Sequence, residues 1–274
     1  MKITFWSPLH GQTATTSNML AISLFTGMYF KKKTLITHTH FNFNNLEAPL
    51  VEINSKSKNA ENYFQGVGID GLLRNFKASL PDKEMLENCC ISFPNTNVNL
   101  LPGTVKNIRE AYENEMEMIA PTLFEKIEEF TDILFIDASS GNNPLSKKLI
   151  DISDLTVINL CQSMSVLDNY FSLFPSFVQG KVFYLFGNYD SRSKYNIKNI
   201  QRKYRQINSS NSGVIPYNIA FKDSLTDGTV IDFIRDNINC SKTDENYIYI
   251  NRVRSAAERI LIKAGMNTID DEGE

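Results

Sequence analysis

Short apolar runs recur along the chain, separated by longer stretches of mixed character. Residues 2–6 (KITFW), 34–36 (TLI), 98–101 (VNLL), 132–136 (DILFI), 155–160 (LTVINL), 181–186 (KVFYLF) and 213–216 (GVIP) have the length and the β-branched, aromatic content of strands. They are continuous rather than alternating, which is how parallel strands covered on both faces read. Between them the apolar spacing predicts helices over 14–30, 68–77, 105–129, 164–176, 194–206 and 228–237. Strands alternating with helices build βαβ units, so the expected fold is α/β: a mostly parallel β-sheet with helices on both faces. Ligands of such sheets bind outside the carboxyl ends of the strands, which makes the loops after the strands the places to look for chemistry.

Two segments depart from this rhythm. Residues 54–65 (NSKSKNAENYFQ) are polar and predict a loop. Beyond Ser241 the chain predicts a charged helix over 245–264, with Arg252, Arg254, Glu258 and Arg259, followed by the acidic tail DDEGE. The expected division is therefore a main domain over 1–240 and a C-terminal helix and tail over 241–274. Tyr247, Ile250, Val253, Ala257, Ile260 and Leu261 form a stripe on that helix, suited to packing on the domain or to docking a partner.

Composition narrows the class. The 274 residues are 42% hydrophobic and 22% charged, enough to bury a sizeable core. A net charge of -3 gives no global basic field for nucleic acid. No apolar run approaches the roughly 20 residues of a membrane span, and the start of the chain does not read as a signal peptide. Cys89, Cys90, Cys161 and Cys240 have neither metal nor disulfide spacing, so reduced thiols and a cytoplasmic location are expected.

The first strand runs into SPLHGQTATTSN (7–18) and then a helix. Strand, loop and helix in that order is how a phosphate-binding loop is built, with backbone N–H groups and the helix dipole facing the anion. The usual pattern is G-x-x-x-x-G-K followed by Ser or Thr, whose hydroxyl binds Mg²⁺. Gly11-Gln12-Thr13 stands where Gly-Lys-Thr would stand, and no lysine lies between Lys2 and Lys31. A Ser/Thr-capped helix start is the competing reading. Gln12 donates hydrogen bonds without charge, so phosphate binding is expected to survive better than phosphoryl transfer, which depends on placed positive charge. FTDILFIDASSG (130–141) supplies a second element, an apolar strand ending in Asp137 with Gly141 four residues on.

Together these motifs resemble the ParA/MinD group of P-loop ATPases, whose first loop reads K-G-G-x-G-K-T-T with an asparagine five residues after the first Thr. Gly11, Thr13 and Asn18 match that pattern, FIDASSG is similar to the family's hhhD-x-x-x-G, and LLPGT (100–104) and SDLTVINLCQSMSVLDNYF (153–171) follow in order. LFGNYD (185–190) resembles the strand ending in a base-contacting Asn, here Asn188, and GVIPYN (213–218) the late strand whose Pro loop, here Pro216, packs near the base. The likeness runs through most of residues 1–237. It implies a P-loop NTPase-like fold and ATP and Mg²⁺ as cofactors. Gly11, Gln12, Thr13, Ala14, Asn188 and Pro216 would bind nucleotide, and Thr13 and Asp137 the metal. It also implies a homodimer that organises position in the cell, through partition or by localising a pilus or secretion apparatus, as the TadZ/CpaE proteins do.

The departures are as informative. In this alignment the family's two loop lysines fall on Ser7 and Gln12, and its carboxylates after the second strand fall on His38 and His40 within TLITHTHFNFNNLE. Weak or absent hydrolysis is therefore expected, with a pseudo-ATPase scaffold that binds no nucleotide as the alternative. His38 and His40, two apart on a strand end, point the same way. They read as polar loop histidines, as a contact to phosphate or substrate, or with His10 as a metal site. SRSKYNIKNIQRKYR (191–205) carries Arg192, Lys194, Lys198, Arg202, Lys203 and Arg205, a solvated face or a nonspecific DNA or acidic-protein contact. Direct membrane binding through 245–264 is not expected, because the tail after it is acidic.

Overall fold

The first apolar run forms β1 (Lys2–Trp6), which lies inside the sheet between β5 (Ile133–Asp137) and β6 (Leu155–Leu160), parallel to both. In this computed structural model residues 1–41, 46–51, 66–76 and 80–266 are described. The loop expected over 54–65, residues 42–45 and the acidic tail lie outside them. The other strands are β2 (Thr34–His38), β3 (Ile91–Phe93), β4 (Val98–Leu101), β7 (Val182–Tyr189) and β8 (Ser212–Pro216). Among the described residues they make one eight-stranded sheet in the order β3-β4-β2-β5-β1-β6-β7-β8. Every pairing is parallel except β3 on β4. The parallel strands thus end along one edge, where the loops after β1, β2, β5, β7 and β8 converge.

Helices cover both faces. They are α1 (Thr15–Tyr29), a single turn α2 (Glu47–Leu50), α3 (Gly68–Phe76), α4 (Lys83–Cys89), α5 (Arg109–Glu128), α6 (Pro144–Asp151), α7 (Met164–Leu173), α8 (Ile197–Lys203), α9 (Ile219–Asp227), α10 (Val230–Asn237) and α11 (Tyr247–Ala264). One apolar core lies between the sheet and α1, α10 and α11, and a second between the sheet and α3 to α7. Alternate residues of β1 divide between them: Ile3 and Phe5 join the first core and Trp6 the second. The α1 helix is buried continuously from Asn18 to Met28. It is apolar all round because it is enclosed by the sheet on one side and by α10 and α11 on the other.

The expected α/β architecture is the observed one. All seven expected strands form, with β2 and β7 extended to His38 and Tyr189. Five elements were not anticipated: β3, α2, α4, α6 and α9. Each is short, from three to nine residues, too brief to show a long periodicity. Asp82, Asn143 and Asn218 cap α4, α6 and α9 by accepting from the amides of Met85, Ser146 and Phe221. The helix expected over 194–206 is confined to α8, capped by Asn196.

The C-terminal stripe faces inward. Ile250, Val253, Ala257, Ile260 and Leu261 are buried in the same core as α1, and α11 packs on both α1 and β8. Arg254 of α11 stacks over Tyr29 of α1, 4.4 Å from the ring centroid. Among the described residues no helix is long and apolar enough to cross a membrane. Burial of α11 makes it part of the stability of the sheet. Ile260→Ala is expected to lower the unfolding free energy by about 2–5 kcal/mol, read by urea denaturation. A loss below about 0.5 kcal/mol would show that the helix is separable.

Candidate functional site

Residues 7–14 connect β1 to α1, and the buried face of this loop is tightly braced. Asn18, on the first turns of α1, donates to Asn159 Oδ1 of β6 at 2.9 Å and to the Thr13 carbonyl at 3.3 Å, and Asn159 donates to the Trp6 carbonyl at 3.4 Å. Gly187 of β7 lets the loop approach: a Cβ there would lie 2.6 Å from the Thr13 carbonyl oxygen and 2.7 Å from Asn18 Nδ2. The loop after β5 is stitched on as well. The Gly141 amide donates to the Ser7 carbonyl at 2.9 Å, Trp6 Nε1 donates to the Gly141 carbonyl at 3.2 Å, and Ser7 Oγ bonds Ser140 Oγ at 3.0 Å.

The outer face is the reverse. Gly11 has φ 74° and Ala14 φ 56°, both left-handed, and Ala14 is the residue before the helix. No acceptor among the described residues takes the backbone N–H groups of Gly11 to Ser17. Seven successive amides at the start of a 15-residue helix form a concentration of positive dipole that suits an anion.

The metal side of the site corrects the register read from the sequence. Asp137, at the end of β5 and fully buried, accepts from Thr16 Oγ1 at 2.6 Å. Thr13 does not face it: its hydroxyl pairs with Thr15 Oγ1 at 3.0 Å. A phosphate loop needs its metal-binding hydroxyl beside the strand-end carboxylate, so the motif must slide by three residues. Laid on that contact, the resembled motif would put Thr16 at the hydroxyl position, Thr15 at the second lysine, Ala14 at the glycine before it and His10 at the first lysine. The left-handed backbone at Ala14, unusual without glycine, fits that placement. Ser7, read from the sequence at the first lysine position, is buried with its hydroxyl bonded to the Leu9 carbonyl, and Gln12, read at the second, is exposed. Asp137 Oδ1 is buried without a partner, an open acceptor of the kind a hard divalent cation takes.

The histidines after β2 do not form one site. His38 is not a loop residue but the buried end of β2, and its Nε2 lies 3.0 Å from Glu47 Oε1. Glu47 Oε1 also accepts from the Gly103 amide at 2.8 Å. Burial pushes the Glu47 carboxyl up, but the adjacent His38 and the Gly103 hydrogen bond outweigh it and bring it down to about 2. His40 turns back over the sheet end, its Nε2 3.3 Å from Asp137 Oδ2 without hydrogen-bond alignment. Burial is the largest influence on His40 and lowers its pKa, but the charge and side-chain contact of Asp137, with the Glu47 charge, together outweigh it, and the net shift is upward from 6.5. His10 is exposed on the loop, and the described residues contain no group of three His, Cys, Asp or Glu placed to share a metal.

Asn188 and Pro216 meet at the same sheet end. Asn188 is exposed with φ 48° at an irregularity of β7, and the next residue, Tyr189, registers with Pro216 of β8. A cleft of about 340 Å³ opens beside Tyr217, the residue after Pro216, and its lining includes Thr16, Ser17, Tyr217, Lys222 and the carboxylate Asp223. Tyr217 and Lys222 belong to the site's surroundings and were not anticipated. Nothing local marks them, because they reach the loop only through the β8–α9 connection.

The basic segment 191–205 is not one free face. Arg192 pairs with Asp190 at 2.7 Å and Lys203 with Asp168 at 3.3 Å, while Lys194 lies 5.0 Å from the Tyr195 ring. Lys198 turns instead toward α11.

Sheet order, the loop after β1 and the carboxylate at the end of β5 define the P-loop ATPase fold of the ParA/MinD type. Among solved structures the chain is similar to a ParA family ATPase from Chlorobium tepidum TLS (TM-score 0.70, 14% identity, covering 93% of this chain and 98% of that one). It is similar to the septum site-determining protein MinD complexed with Mg-ADP from Pyrococcus horikoshii OT3 (TM-score 0.68, 16% identity, 97% and 98%). It also resembles the MinC:MinD cell division protein complex of Aquifex aeolicus (TM-score 0.65, 14% identity, 100% of each chain). No family model matches the sequence, and no curated protein does.

The Glu47 contacts give a test of the site's support. A carboxyl whose folded pKa is depressed from 4.5 to about 2 adds stability above pH 4.5, and that stability is lost as pH falls toward 2. The full effect is about 3 kcal/mol. Glu47→Gln is expected to be less stable at pH 7 and to flatten stability against pH between 4.5 and 2. A slope unchanged from the parent chain would contradict the pairing.

Proposed function

We propose that this chain is a nucleotide-binding protein of the ParA/MinD type, with a loop that holds phosphates and hydrolyses them weakly or not at all. The observation that carries the reading is the run of unpaired amides from Gly11 to Ser17 beside the Thr16–Asp137 pair. Those amides hold the phosphate oxygens, and Thr16 with Asp137 holds Mg²⁺, whose charge offsets that of the phosphates. The open Asp137 Oδ1 supports the metal's fit. Asn188 and Pro216, with Tyr217 and Lys222 lining the adjacent cleft, receive the base and sugar.

Weak turnover follows from the missing charge. With Thr15 and His10 in the lysine positions, the loop carries no permanent cation for the charge that develops in phosphoryl transfer. His40 lies against Asp137, where a carboxylate orienting the attacking water would be sought, and in contact with Asp137 it is held away from that role. The bound state, not the cleavage step, is then the functional output. We assign the chain a cytoplasmic homodimer that positions other components, through partition or by localising a pilus or secretion apparatus. The Mg-ADP of the Pyrococcus MinD structure and the MinC bound in the Aquifex complex support nucleotide and partner binding as properties that this fold accommodates.

The competing reading, a scaffold that binds no nucleotide, draws on one observation: Asp137 Oδ2 is already engaged by Thr16 and His40. Calorimetry separates the two. ATP–Mg²⁺ is expected to bind the parent chain. Thr16→Ala and Asp137→Ala are expected to weaken binding by on the order of tenfold or more, and Thr13→Ala by much less. No heat at millimolar ATP–Mg²⁺ would establish the scaffold. Equal losses from Thr13→Ala and Thr16→Ala would return the register to Gly11-Gln12-Thr13. Steady phosphate release at about 1 s⁻¹ or faster would refute the claim of weak hydrolysis.

A further inference from the structure

A second cleft lies away from the loop, on the outer edge of the sheet. Its floor is the first half of β8, Ser212 to Val214, and its walls are α8 and α11. β8 is three strands from β1, about 14 Å at the usual strand spacing, and this cleft shares no residue with the one beside Thr16. Its volume is about 230 Å³, below the roughly 300–1,000 Å³ of pockets that enclose drug-sized ligands.

The lining has one sign of charge. Lys198 comes from α8, and Arg252 and Arg259 come from α11, seven residues apart and so on one stripe of that helix. No carboxylate lines the cleft, and among the described residues none of the three cations pairs with one. Arg259 is half-buried beside the Phe183 ring, 5.9 Å from its centroid, and burial lowers its pKa from 12.5. A partly desolvated guanidinium without a counter-ion is an uncompensated cost that an anionic ligand removes. Neutral polar groups complete the wall: Gln201 donates to Ser212 Oγ at 3.2 Å, Ser212 Oγ donates in turn to the Asn208 carbonyl at 2.6 Å, and Ser209 lies on the same rim. Convergent cations with hydroxyl and amide donors around a small recess are the chemistry that recognises a phosphate group.

We propose that the cleft between α8, β8 and α11 is a binding site for a small phosphate-bearing anion, separate from the nucleotide loop. The recess admits a phosphate group and a few atoms of its carrier. It does not present the extended row of free cations that a nucleic acid backbone follows, since Arg192 and Lys203 beside it are already paired with Asp190 and Asp168. Occupancy would tie α8 to α11, and α11 packs directly on α1.

The test uses the full chain at constant ionic strength, with inorganic phosphate and glycerol 3-phosphate as probes in calorimetry and a short duplex DNA in a parallel arm. Saturable binding of both phosphate probes is expected. Arg252→Gln, an exposed position chosen to leave folding intact, and Arg259→Gln are each expected to weaken it by on the order of tenfold, with ATP–Mg²⁺ affinity unchanged. Phosphate binding indifferent to both substitutions would place the anion at the loop and overturn the proposal. So would the absence of saturation by either probe up to tens of millimolar. DNA binding that is lost in both variants, and that neither phosphate probe displaces, would assign the cleft to nucleic acid instead.

Discussion

The hydrogen bond from Thr16 to Asp137 fixes the meaning of everything around it. A carboxylate with no solvent exposure has to be compensated, and at the end of β5 it is met by a hydroxyl from the first turn of α1 at 2.6 Å. That contact sets how far α1 advances toward the sheet edge. With the helix start fixed there, the chain between Trp6 and Thr15 arches over the strand ends, and its amides from Gly11 to Ser17 are left facing outward. The buried amide network of Asn18 and Asn159 and the absence of a Cβ at Gly187 hold the inner side of the same arch. The anion affinity proposed for this edge would come from backbone geometry and so would not need a lysine in the loop.

The same arrangement separates binding from turnover. Backbone dipoles and a divalent cation stabilise phosphates in the ground state, whereas cleavage requires charge placed on the oxygens where it develops. Thr15 and His10 offer a hydroxyl and a titratable ring at the two positions where the family motif has lysine. His38 and His40 similarly replace carboxylates at the end of β2, and each has found a local carboxylate partner, Glu47 and Asp137. Under the proposed function, such a site would respond to nucleotide chiefly by being occupied or empty.

Much of the fold was legible because the parallel strands are buried on both faces and so appear as uninterrupted apolar runs such as LTVINL. The elements that escaped, β3 and the short helices α2, α4, α6 and α9, are fixed by caps or by neighbours. In the site, Asp137 was readable from local pattern, as the acidic end of an apolar strand. Thr16 was not, since Gly11 offered the only glycine to anchor the motif, and no sequence rule announces that Ala14 takes the left-handed conformation. Glu47 was hidden for a related reason: its pairing with His38 depends on the course of the chain after β2. Tyr217, Lys222 and the cationic cleft of α8 and α11 are assembled from segments distant in sequence, so only the folded chain brings them together.

Under the proposed function, the loop's free amides form a phosphate cradle. Amide chemical shifts of the ¹⁵N-labelled chain, followed during titration with ADP–Mg²⁺, test it most directly. Large, saturable shifts of the Gly11 to Ser17 amides are expected, with smaller ones near Asp137 and Asn188. Loop amides that stay unchanged at millimolar nucleotide would contradict it.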